Sequence, residues 1–452
     1  MKNETLFNQL HEEKDSIHSI DYILEWIKAK NSEVYVNIER IPFKSMKNWC
    51  LDRTKSNIRH ESGKFFSIEG LTISDETTTW DQPIINQPEI GFLGFIVKKI
   101  KGKYHFLVQA KIEPGNVNKV QLSPTIQATK SNFTQVHKGR LPDYIEFFQN
   151  PRKESILLDQ IQSEQGSRFF KKRNRNFILL IQDHVKVKNN FIWITLNQIK
   201  TLMKFDNLVN MDTRSVISSI PYIRDDKMNL ENKNHFSKLP YVYSNNSLQN
   251  ILGVLARKKV HSNMMVTSKP ITKLKNWVYS EEGIYHNSDK YFEVIYTRIN
   301  IENREVSSWC QPMIKAKEVG LCVLFTKTIN GKIHFLFQIK TECGNLDIAE
   351  LGPTIQTSSS EQKISYQPEI KYQEELINNA NSIVFESLQS EEGGRFFEEQ
   401  NKNILLDVRN NFENLYPNDF VWVSLDQVFL LIQFNNIFNI QARSILAGLK
   451  HD

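Results

Sequence analysis

The chain has 452 residues and a mass of 52.9 kDa, with 40% hydrophobic and 24% charged residues and a formal net charge of +6. Ordinary glycine and proline counts and 11% aromatic residues disfavour disordered, collagen-like and coiled-coil proteins, and +6 on so long a chain is weak for a nucleic-acid-binding domain. The N-terminal MKNETLFNQLHEEKD is charged where a signal peptide is apolar, and no apolar stretch is long enough to span a membrane, so we expect a cytoplasmic protein.

The first half of the chain begins with an amphipathic helix, predicted around Ile20 to Lys30, and an extended segment that contains Trp49. Two strands follow, GFLGFIVKKI and YHFLVQAKI, connected by a Lys-Gly turn. Beyond an irregular stretch, the pattern predicts a helix near 155–172, a strand around Phe191–Ile194 and a closing helix that ends at Ile220.

The second half predicts the same elements in the same order. A helix around Leu248 to Lys258 leads to an extended segment with Trp277 and to the strands GLCVLFTKTI and KIHFLFQIK. Asn330-Gly331 between these apolar runs is a strong hairpin signal. A helix near 382–400, a strand from 420 to 423 and a closing helix that ends at Leu449 complete the half. Antiparallel strands mixed with helices predict an α+β fold.

The two halves are similar in sequence as well as in pattern. Residues 102–116, GKYHFLVQAKIEPGN, recur at 331–345 as GKIHFLFQIKTECGN, with ten of fifteen positions identical at an offset of 229. Further blocks follow in the same order: WDQP and WCQP, SPTIQAT and GPTIQTS, QSEQGSRFF and QSEEGGRFF. We therefore predict two domains related by internal duplication, at 1–222 and 247–452, joined by a polar linker at 223–246.

The strand shared by both copies carries a repeated set of polar residues. Period-two alternation places Phe106, Val108 and Ala110 on one face. The other face carries the same polar types in both copies: His105, Gln109, Lys111 and Glu113, with His334, Gln338, Lys340 and Glu342. An ordinary half-buried strand would also alternate in this way. A pocket wall with donors, acceptors and a titratable base explains the repeated types better, since histidine titrates near neutral pH.

The repeated segment QSE(Q/E)G(S/G)RFF places a glutamate four residues before an arginine. On a helix, Glu164 and Arg168 in the first copy would share a face and pair, as would Glu391 and Arg395 in the second. A structural ion pair at a helix start explains this spacing equally well. The residues that follow differ in charge between the copies: Lys171, Lys172, Arg173 and Arg175 against Glu398, Glu399, Gln400 and Lys402. Four cations beside an arginine could hold a diphosphate, although a solvated basic face is the commoner explanation.

Several motifs of known chemistry are absent from the sequence, including GxxxxGK[ST], strand-linked GxGxxG, HExxH and GxSxG. The motifs therefore support neither a metal site nor nucleotide redox chemistry, and we expect no cofactor. The spacings of the four cysteines match neither a CxxC pair nor a disulfide framework, so we expect reduced and mostly buried thiols at Cys50, Cys310, Cys322 and Cys343.

The long blocks 109–139, 162–176 and 210–221 resemble the NDP-hexose 2,3-dehydratase family of deoxysugar pathways, and 350–356, 389–397 and 441–449 resemble that family's C-terminal copy. The resemblance covers nearly the whole chain, from about Tyr22 to Leu449. It implies tandem Nudix-like α/β/α domains, a homodimer and a lyase that acts on a dTDP-linked 4-keto-6-deoxyhexose.

By this resemblance, the enzyme removes the 2-hydroxyl of dTDP-4-keto-6-deoxy-D-glucose as water, without metal or redox cofactor. The product is a 3,4-diketo-2,6-dideoxyhexose nucleotide, on which a 3-ketoreductase would act next. The Nudix hydrolase motif GX5EX7REUXEEXGU is not present: the first copy has RFFKKRN, and the second has Glu398-Glu399 without the preceding residues. Diphosphate hydrolysis is therefore not expected.

Such an elimination needs a base for the hydrogen at C3, a general acid for the C2 hydroxyl and a group that stabilises the enolate. The candidate catalytic residues are His105, Lys111, Glu113, His334, Lys340 and Glu342. Arginine suits a diphosphate and tryptophan a nucleobase. The candidate substrate-binding residues are Trp80, Gln82, Gln109, Asn116, Thr125, Gln127, Asn132, Thr134, His137, Glu164, Arg168, Lys171, Arg214, Trp309, Gln311, Gln338, Asn345, Thr354, Gln356, Glu391, Arg395 and Arg443.

We expect the catalytic pocket in the first copy, because that copy adds Asn132, Thr134 and His137 and the cationic segment. The two-pocket pattern also permits the reverse, with one copy only binding nucleotide. Two other functions stay open at this point: a non-catalytic nucleotide-sugar binding or scaffold protein, and a nucleic-acid binder. The second copy has no matching basic cluster, which argues against the nucleic-acid binder.

Overall fold

The computed structural model describes residues 2–12, 16–52, 54, 56–129, 141–221, 246–302, 306–357, 382–408 and 419–449. In these ranges the protein has an α+β fold made mostly of strands, which confirms the predicted class. The predicted linker at 223–246 lies outside the described residues, apart from Asn246.

The helices are short and flank the sheets. The α-helices of the described ranges are α1 Lys2–Glu12, α2 Ile20–Ser32, α3 Ile145–Gln149, α4 Leu196–Leu202, α5 Met211–Ser218, α6 Leu248–His261, α7 Leu425–Leu431 and α8 Ile440–Ala447. Short 3-10 turns lie at Phe43–Ser45, Lys153–Ser155 and Ile271–Lys273. The helices predicted to open and close each half are confirmed as α2, α5, α6 and α8.

The strands of the two halves correspond one to one. Those of the first half are β1 Val36–Arg40, β2 Trp49–Leu51, β3 Ile58–His60, β4 Ser67–Ser74, β5 Thr79–Asn86, β6 Gly91–Ile100, β7 Lys103–Ile112, β8 Val120–Ser123, β9 Ile126–Ala128, β10 Ile156–Ser163, β11 Arg173–Leu180 and β12 Phe191–Ile194. Those of the second half are β13 Met265–Lys269, β14 Trp277–Ser280, β15 Gly283–His286, β16 Phe292–Ile301, β17 Ser308–Ala316, β18 Gly320–Ile329, β19 Lys332–Thr341, β20 Ala349–Gly352, β21 Ile355–Thr357, β22 Ile383–Ser390, β23 Gln400–Asp407 and β24 Phe420–Ser424.

Each half contributes one seven-stranded mixed sheet. In the first half its path runs β10-β11-β6-β7-β12, with β8 on β7 and β9 on β6. The strands β6 and β11 are parallel, and the other pairs are antiparallel. The second half repeats this arrangement with β22-β23-β18-β19, to which β20, β21 and β24 add.

The central hairpins turn where the sequence predicts. Lys101 and Gly102 have φ of 49° and 82°, and Asn330 and Gly331 have 50° and 75°. Two successive residues with positive φ form the turn that matches the twist of a two-residue hairpin, which favours Asn-Gly. The predicted hairpins are therefore confirmed.

The smaller five-stranded sheets combine strands from both halves. One contains β2 to β5 together with β13 from the second half, where Met265 pairs with Ser74. The other contains β14 to β17 together with β1 from the first half, where Val36 pairs with Ile301. The halves thus exchange their first strands, a feature that the repeat alone did not reveal.

The helices predicted near 155–172 and 382–400 are wrong. The structure has the strands β10 and β22 there, followed by a tight turn. The amide of Arg168 donates to the carbonyl of Gln165 at 3.0 Å, which closes that turn. A helix would also lose the antiparallel pairing of β10 with β11. The predicted pairing of Glu164 with Arg168, and of Glu391 with Arg395, on one helix face is therefore wrong as well.

The halves interlock through these turns. Gly115, in the loop after β7, donates its amide to the carbonyl of Gly393 at 2.7 Å and accepts from the amide of Glu398 at 2.8 Å. Gly344 makes the equivalent bonds to Gly166 and Lys171. The rings of Phe169 and Phe396 meet edge to face, with centroids 5.7 Å apart. The turn of each half therefore lies against the sheet of the other.

Candidate active site

Two equivalent clusters of buried and half-buried polar residues lie where the turn of one half meets the sheet of the other. Site A lies on the first sheet and comprises Lys111, Glu113, Gln127, Glu164, Lys172, Asn174 and Asp212, with Glu392 and Arg395 from the second half. Site B lies on the second sheet and comprises Lys340, Glu342, Gln356, Glu391, Glu399, Asn401 and Gln441, with Gln165 and Arg168 from the first half.

One wall of site A is built around Gln127 on β9. Lys111 Nζ donates to the Gln127 carbonyl oxygen at 2.9 Å, and Gln127 Nε2 donates to Glu113 Oε1 at 2.8 Å. Asn210 and Ser123 both donate to Gln127 Oε1, at 3.0 and 2.9 Å. The side chain of Gln127 is thus fixed in orientation. Gln127 binds a cation through its backbone carbonyl and a carboxylate through its side chain.

The floor of site A is formed by Glu164, directly after β10, and by the start of β11. Asn174 Nδ2 donates to Glu164 Oε1 at 2.5 Å, and the amide of Glu164 donates to the carbonyl of Lys172 at 3.0 Å. Lys172 Nζ donates to the carbonyl of Glu89. In the described part of the chain, Glu164 Oε2 is buried with no hydrogen-bond partner. This oxygen therefore lacks the donor that a buried carboxylate oxygen normally has.

Asp212 enters site A from the first turn of α5. Asn210 caps this helix, accepting at its side chain from the amide of Thr213 at 2.9 Å. The carboxyl group of Asp212 is only 3% exposed, and no hydrogen bond joins it to another residue of the described ranges. A buried carboxyl group without a donor favours its protonated form.

The roof of site A is the turn of the second half. The amide of Gly394 donates to Glu392 Oε1 at 2.9 Å, whereas Glu392 Oε2 is buried and unbonded within the described residues. The guanidinium of Arg395 lies over the ring of Phe66, with its Cζ 4.3 Å from the ring centroid. Its Nη1 donates to the Gly394 carbonyl at 2.9 Å.

The crowding of carboxylates in site A makes them basic. Burial and then the negative charge of Glu392 raise the pKa of Glu164 to about 8. Burial and then Glu113 raise the pKa of Glu392 to about 7. Burial followed by repulsion from Glu164, Glu113 and Glu392 raises the pKa of Asp212 well above its usual range. Carboxyl groups that titrate near neutral pH are suited to general acid and base catalysis.

Site B has the same frame with different charges. Gln441 stands in place of Asp212, Gln165 in place of Glu392, and Glu399 in place of Lys172. Arg168 pairs with Glu399 at 3.0 Å, and both side chains are buried. Glu391 accepts from Gln165 Nε2 and from Asn401 Nδ2. Two of the carboxylates of site A are thus amides in site B. The arginine of site B, Arg168, forms a buried ion pair with Glu399.

A family model for NDP-hexose 2,3-dehydratase matches this chain twice, at residues 20–220 and 248–449. The chain belongs to the NDP-hexose 2,3-dehydratase family. Its relatives include enzymes named dTDP-4-dehydro-6-deoxy-alpha-D-glucopyranose 2,3-dehydratase from three bacteria. The one from Saccharopolyspora spinosa is 38% identical and the match covers 94% of this chain and 90% of the relative.

The relative from Amycolatopsis orientalis is 34% identical over 93% of this chain and 88% of its own, and that from Streptomyces violaceoruber is 34% identical over 94% and 96%. Among solved structures, the crystal structure of an ADP compounds hydrolase covers 35% of this chain and 83% of its own, with 15% identity and a TM-score of 0.24. That likeness is too weak to support an inference. No helix of the described residues is long and apolar enough to cross a membrane.

The structure of this dehydratase family member excludes both candidate histidines from the sites. His105 lies six residues before Lys111 on β7, roughly 20 Å along a strand. Its Nε2 is 3.4 Å from Ser16 Oγ and its Nδ1 is 3.0 Å from the Lys103 carbonyl oxygen. His334 takes the equivalent position, with Nδ1 3.0 Å from the Lys332 carbonyl oxygen. Burial lowers the pKa of both.

The strand face that carries these histidines is not one pocket wall. The predicted alternation of β7 is correct, but both faces are buried: Phe106 and Val108 lie in one hydrophobic core, and Leu107 lies in another. Only the end of the strand, from Lys111 onward, reaches site A. In the second half, Lys340 Nζ donates to the Gln356 carbonyl at 3.3 Å and Gln356 Nε2 to Glu342 at 3.1 Å, within site B.

The arginines predicted to bind a diphosphate have other roles in two cases. Arg214 and Arg443 are fully buried. Arg214 donates to Gln389 and to the Ser390 carbonyl of the other half, and Arg443 donates to Gln162 and the Ser163 carbonyl. They connect the halves through these hydrogen bonds, and their predicted contact with substrate stays a prediction. Arg395 remains a candidate in site A, while Arg168 is paired with Glu399 in site B.

The predicted cationic segment does not form a cluster. Lys171 is exposed, and its Nζ lies over the ring of Phe170. Arg175 pairs with Asp159 at 2.6 Å. Of these residues, it is Lys172 that enters site A. Three further candidates, Asn132, Thr134 and His137, lie outside the described residues.

The tryptophans and their neighbouring glutamines support the turns. Trp80 and Trp309 are half-buried and donate from Nε1 to Gln82 and Gln311, at 3.2 and 2.9 Å. Each glutamine then donates to a turn carbonyl, Gln82 to Ser167 and Gln311 to Gly394. The structure thus gives both tryptophans a packing role, and their predicted stacking on a nucleobase stays a prediction.

The remaining candidates are mostly structural. Thr125 and Thr354 each link two strands, donating to the carbonyls of Leu107 and Leu336. Asn116 and Asn345 close the loops that interlock the halves. Gln109 and Gln338 are half-buried on β7 and β19, opposite Ser123 and Gly352.

Sequence reasoning missed Asp212 and Glu392 of site A and did not single out Asn174. All three lie within or beside blocks that the repeat comparison already aligned. The signal was the exchange of carboxylate for amide between the copies, Asp212 against Gln441 and Glu392 against Gln165. The candidates chosen from the sequence are residues that the two copies share, whereas the distinctive charges of site A belong to residues that differ between the copies.

Proposed function

We propose that this protein removes water across C2 and C3 of dTDP-4-keto-6-deoxy-D-glucose, giving a 3,4-diketo-2,6-dideoxyhexose nucleotide in deoxysugar biosynthesis, and that site A performs the elimination. Family membership supports the reaction class, and the names of the relatives support the substrate. The observation that favours site A is its set of crowded carboxylates, two of which are glutamines in site B.

Glu392 is the proposed base. Burial and then the charge of Glu113 raise the pKa of Glu392 to about 7, so its carboxyl group can exchange a proton near neutral pH. The C4 ketone acidifies the hydrogen at C3, which Glu392 Oε2 would take as a proton. The electron pair of the C3–H bond then forms an enolate with its negative charge on the C4 oxygen.

Asp212 is the proposed general acid. Burial and then the charges of the surrounding carboxylates raise the pKa of Asp212 well above its usual range, which favours the protonated form that a general acid needs. As the enolate collapses, the C2–O bond breaks with its electron pair and the leaving hydroxyl takes the proton of Asp212 to depart as water. The enol at C3 then gains a proton at C2 and becomes the 3-ketone.

Lys111 and Lys172 are the proposed electrostatic partners of the enolate. The positive charges of both lysines act on the carboxylates of site A. Lys111 opposes the rise in the pKa of Asp212 and of Glu392, and Lys172 opposes the rise in the pKa of Glu164. A fixed cation where negative charge develops stabilises the transition state more than the ground state. Arg395 would contact the diphosphate, since a guanidinium matches phosphate geometry.

The elimination is redox-neutral, because the C4 ketone already supplies the activation that an oxidised cofactor would otherwise provide. We therefore infer that the enzyme needs neither metal nor NAD(P) for this step. Turnover that survives dialysis against a chelator supports this inference, and turnover that requires an added divalent cation would refute it.

Four further inferences about the whole protein follow from the family resemblance. We infer tandem Nudix-like domains at about 1–222 and 247–452, with a linker at 223–246, and a homodimer in the cytoplasm. The product is a reactive diketone, so we also infer that a 3-ketoreductase consumes it. The repeated sheets described above support the tandem arrangement.

The decisive experiment incubates the protein with dTDP-4-keto-6-deoxy-D-glucose, a 3-ketoreductase and NADPH, which traps the diketone. The proposed function predicts loss of one water from the sugar nucleotide and consumption of NADPH that depends on this protein. Unchanged substrate at high protein concentration, with the trap shown to be active, would refute the proposed function.

A further inference from the structure

Gln311 lies on β17, outside site A, but its side-chain amide is fixed in one orientation. Gln311 Oε1 accepts from Trp309 Nε1 at 2.9 Å, and Gln311 Nε2 donates to the Gly394 carbonyl at 2.7 Å. Gln311 is 6% exposed, so water does not compete freely for these bonds. Because the indole can only donate, Gln311 must present its NH2 group to Gly394.

The residue that Gln311 holds is the one that binds Glu392. The Gly394 amide donates to Glu392 Oε1 at 2.9 Å, which leaves Oε2 for the substrate. A Cβ at Gly394 would lie 2.3 Å from Glu392 Oε1 and 3.5 Å from Glu113 Oε1, so this backbone is in direct contact with the carboxylates of site A. A change in the position of residue 394 would therefore move Glu392.

The first half contains the same arrangement without the carboxylate. Gln82 accepts from Trp80 at 3.2 Å and donates to the Ser167 carbonyl at 2.9 Å. The corresponding turn residue is Gln165, whose Nε2 donates to Glu391. Gln82 therefore holds a turn that places no carboxylate, which makes it a matched control for Gln311.

We propose that Gln311 is a positioning residue for the elimination: through the Gly394 peptide it fixes Glu392 with one oxygen bound to the backbone and the other toward the substrate. This inference rests on the proposed function, specifically on Glu392 as the base. Gln311 itself does not touch the reacting atoms.

The test compares Gln311→Met with Gln82→Met, since methionine keeps the length and removes both hydrogen bonds. For Gln311→Met we expect kcat to fall at least about tenfold with KM within about twofold, because orientation of a catalytic group chiefly affects the chemical step. For Gln82→Met we expect the acidic limb of the kcat pH profile to stay at the wild-type pH, because the turn that Gln82 holds positions no carboxylate of site A.

The pH profile gives a second readout that a general loss of stability would not produce. The bond from the Gly394 amide lowers the pKa of Glu392. Gln311→Met releases the Gly394 carbonyl and so weakens that bond by displacing the peptide, which should shift the acidic limb of kcat to higher pH. The charged groups that face Glu392 are those of site A: Glu113, Lys111, Arg395, Glu164, Lys172 and Asp212. None of them is changed in the variant, so the limb reports on Glu392.

Glu392→Gln separates the two proposals. If Glu392→Gln alone turns over normally, the role of Glu392 as base fails. If Glu392→Gln is inactive while Gln311→Met keeps the wild-type kcat and pH profile, only the positioning role fails. Should Gln311→Met not fold, Trp309→Phe removes the donor that orients the amide, and an unchanged kcat and pH profile in that variant would overturn the positioning role.

Discussion

At the scale of single residues, sites A and B differ by a few substitutions on a common frame. Site A has Asp212 and Glu392 where site B has Gln441 and Gln165. A carboxyl group can transfer a proton, whereas an amide of similar shape cannot. The frame itself is retained, as Asn174 and Asn401 both donate to a buried glutamate. The general acid and the base proposed for site A therefore have no carboxylate counterpart in site B.

Asp212→Asn tests the proposed general acid. The variant keeps the size of the side chain but has no acidic proton, and it sits at a buried position where no new charge is introduced. We expect kcat for elimination to fall by about 10²- to 10⁴-fold, the range typical of a lost general acid, with little change in KM. The coupled NADPH assay measures both parameters.

Glu391→Gln in site B is the control for variants of site A, with Glu164→Gln as its exact counterpart in site A. Both glutamates are buried and accept from an asparagine, and Glu391 also accepts from Gln165. We expect Glu164→Gln to reduce activity at least about tenfold and Glu391→Gln to leave it within about threefold. The reverse order would place the catalytic chemistry in site B.

Glu350→Gln tests how buried carboxyl groups set the pH dependence of stability. Burial raises the pKa of Glu350 from 4.5 to about 8, although Ser163 Oγ donates to it at 2.6 Å. Between these pH values the folded protein keeps the proton and the unfolded chain releases it, so the free energy of unfolding falls as pH rises through this window. Glutamine has no such proton to lose.

We therefore expect the free energy of unfolding of Glu350→Gln to exceed that of the wild type by about 1 kcal/mol or more at pH 8, and to equal it at pH 4. Thermal unfolding at the two pH values measures the difference. The first half already has Gln121 here, which accepts from Ser390 Oγ at 2.9 Å, so Gln121→Glu should show the opposite pH dependence. An equal stability difference at both pH values would contradict this account.

At the scale of elements, local sequence signals predicted what local chemistry determines. The Asn330-Gly331 hairpin and the helix at Ile20–Ser32 form where the turn residues and the apolar period place them. The segments 155–172 and 382–400 failed because their strands are specified by distant partners, β11 and β23, and not by a local period. Site A followed the same division: Lys111 and Glu113 were found from the strand period, whereas Glu392 comes from the other half.

Gly115→Ala tests the interlock between the loop after β7 and the opposite turn. An added Cβ would lie 1.5 Å from the Phe396 carbonyl oxygen, so the two backbones must separate. We expect a loss of about 1 to 3 kcal/mol in stability, as for other overpacked sites, and a lower kcat because Glu113 and Glu392 lie on these two segments.

Gly253→Ala in α6 is the control for Gly115→Ala. The nearest atom to its added Cβ, Arg257 Nη1, is 3.5 Å away, and alanine favours a helix interior over glycine by about 0.5 to 1 kcal/mol. We expect this variant to be unchanged or slightly more stable, with wild-type activity. Equal melting temperatures for Gly115→Ala and the wild type would show that the two segments can separate at no cost.

At the scale of the whole molecule, the two similar halves are interlocked and do not form separate units in a row. The sequence repeat predicted two units, but pairing of β1 with β16 and of β13 with β4 depends on geometry between units, which a repeat does not encode. Arg214 and Arg443 belong to the same level. Their charges looked like ligand-binding groups in the sequence, whereas in the fold each holds the backbone of the other half.

This exchange predicts how the protein responds when the chain is divided within 222–245. Expressed alone, residues 1–221 would lack the partner strand of β4, and residues 246–452 that of β16, so each fragment would expose a strand edge and its buried arginine partners. We expect each fragment alone to aggregate or remain unfolded.

Co-expressed, the two fragments should form a 1:1 complex with elimination activity, because each half supplies the other with a strand and a turn. Size-exclusion chromatography and the coupled assay measure assembly and activity. A first fragment that is monomeric, cooperatively folded and active by itself would contradict the role assigned to the exchanged strands and to Glu392, which that fragment lacks.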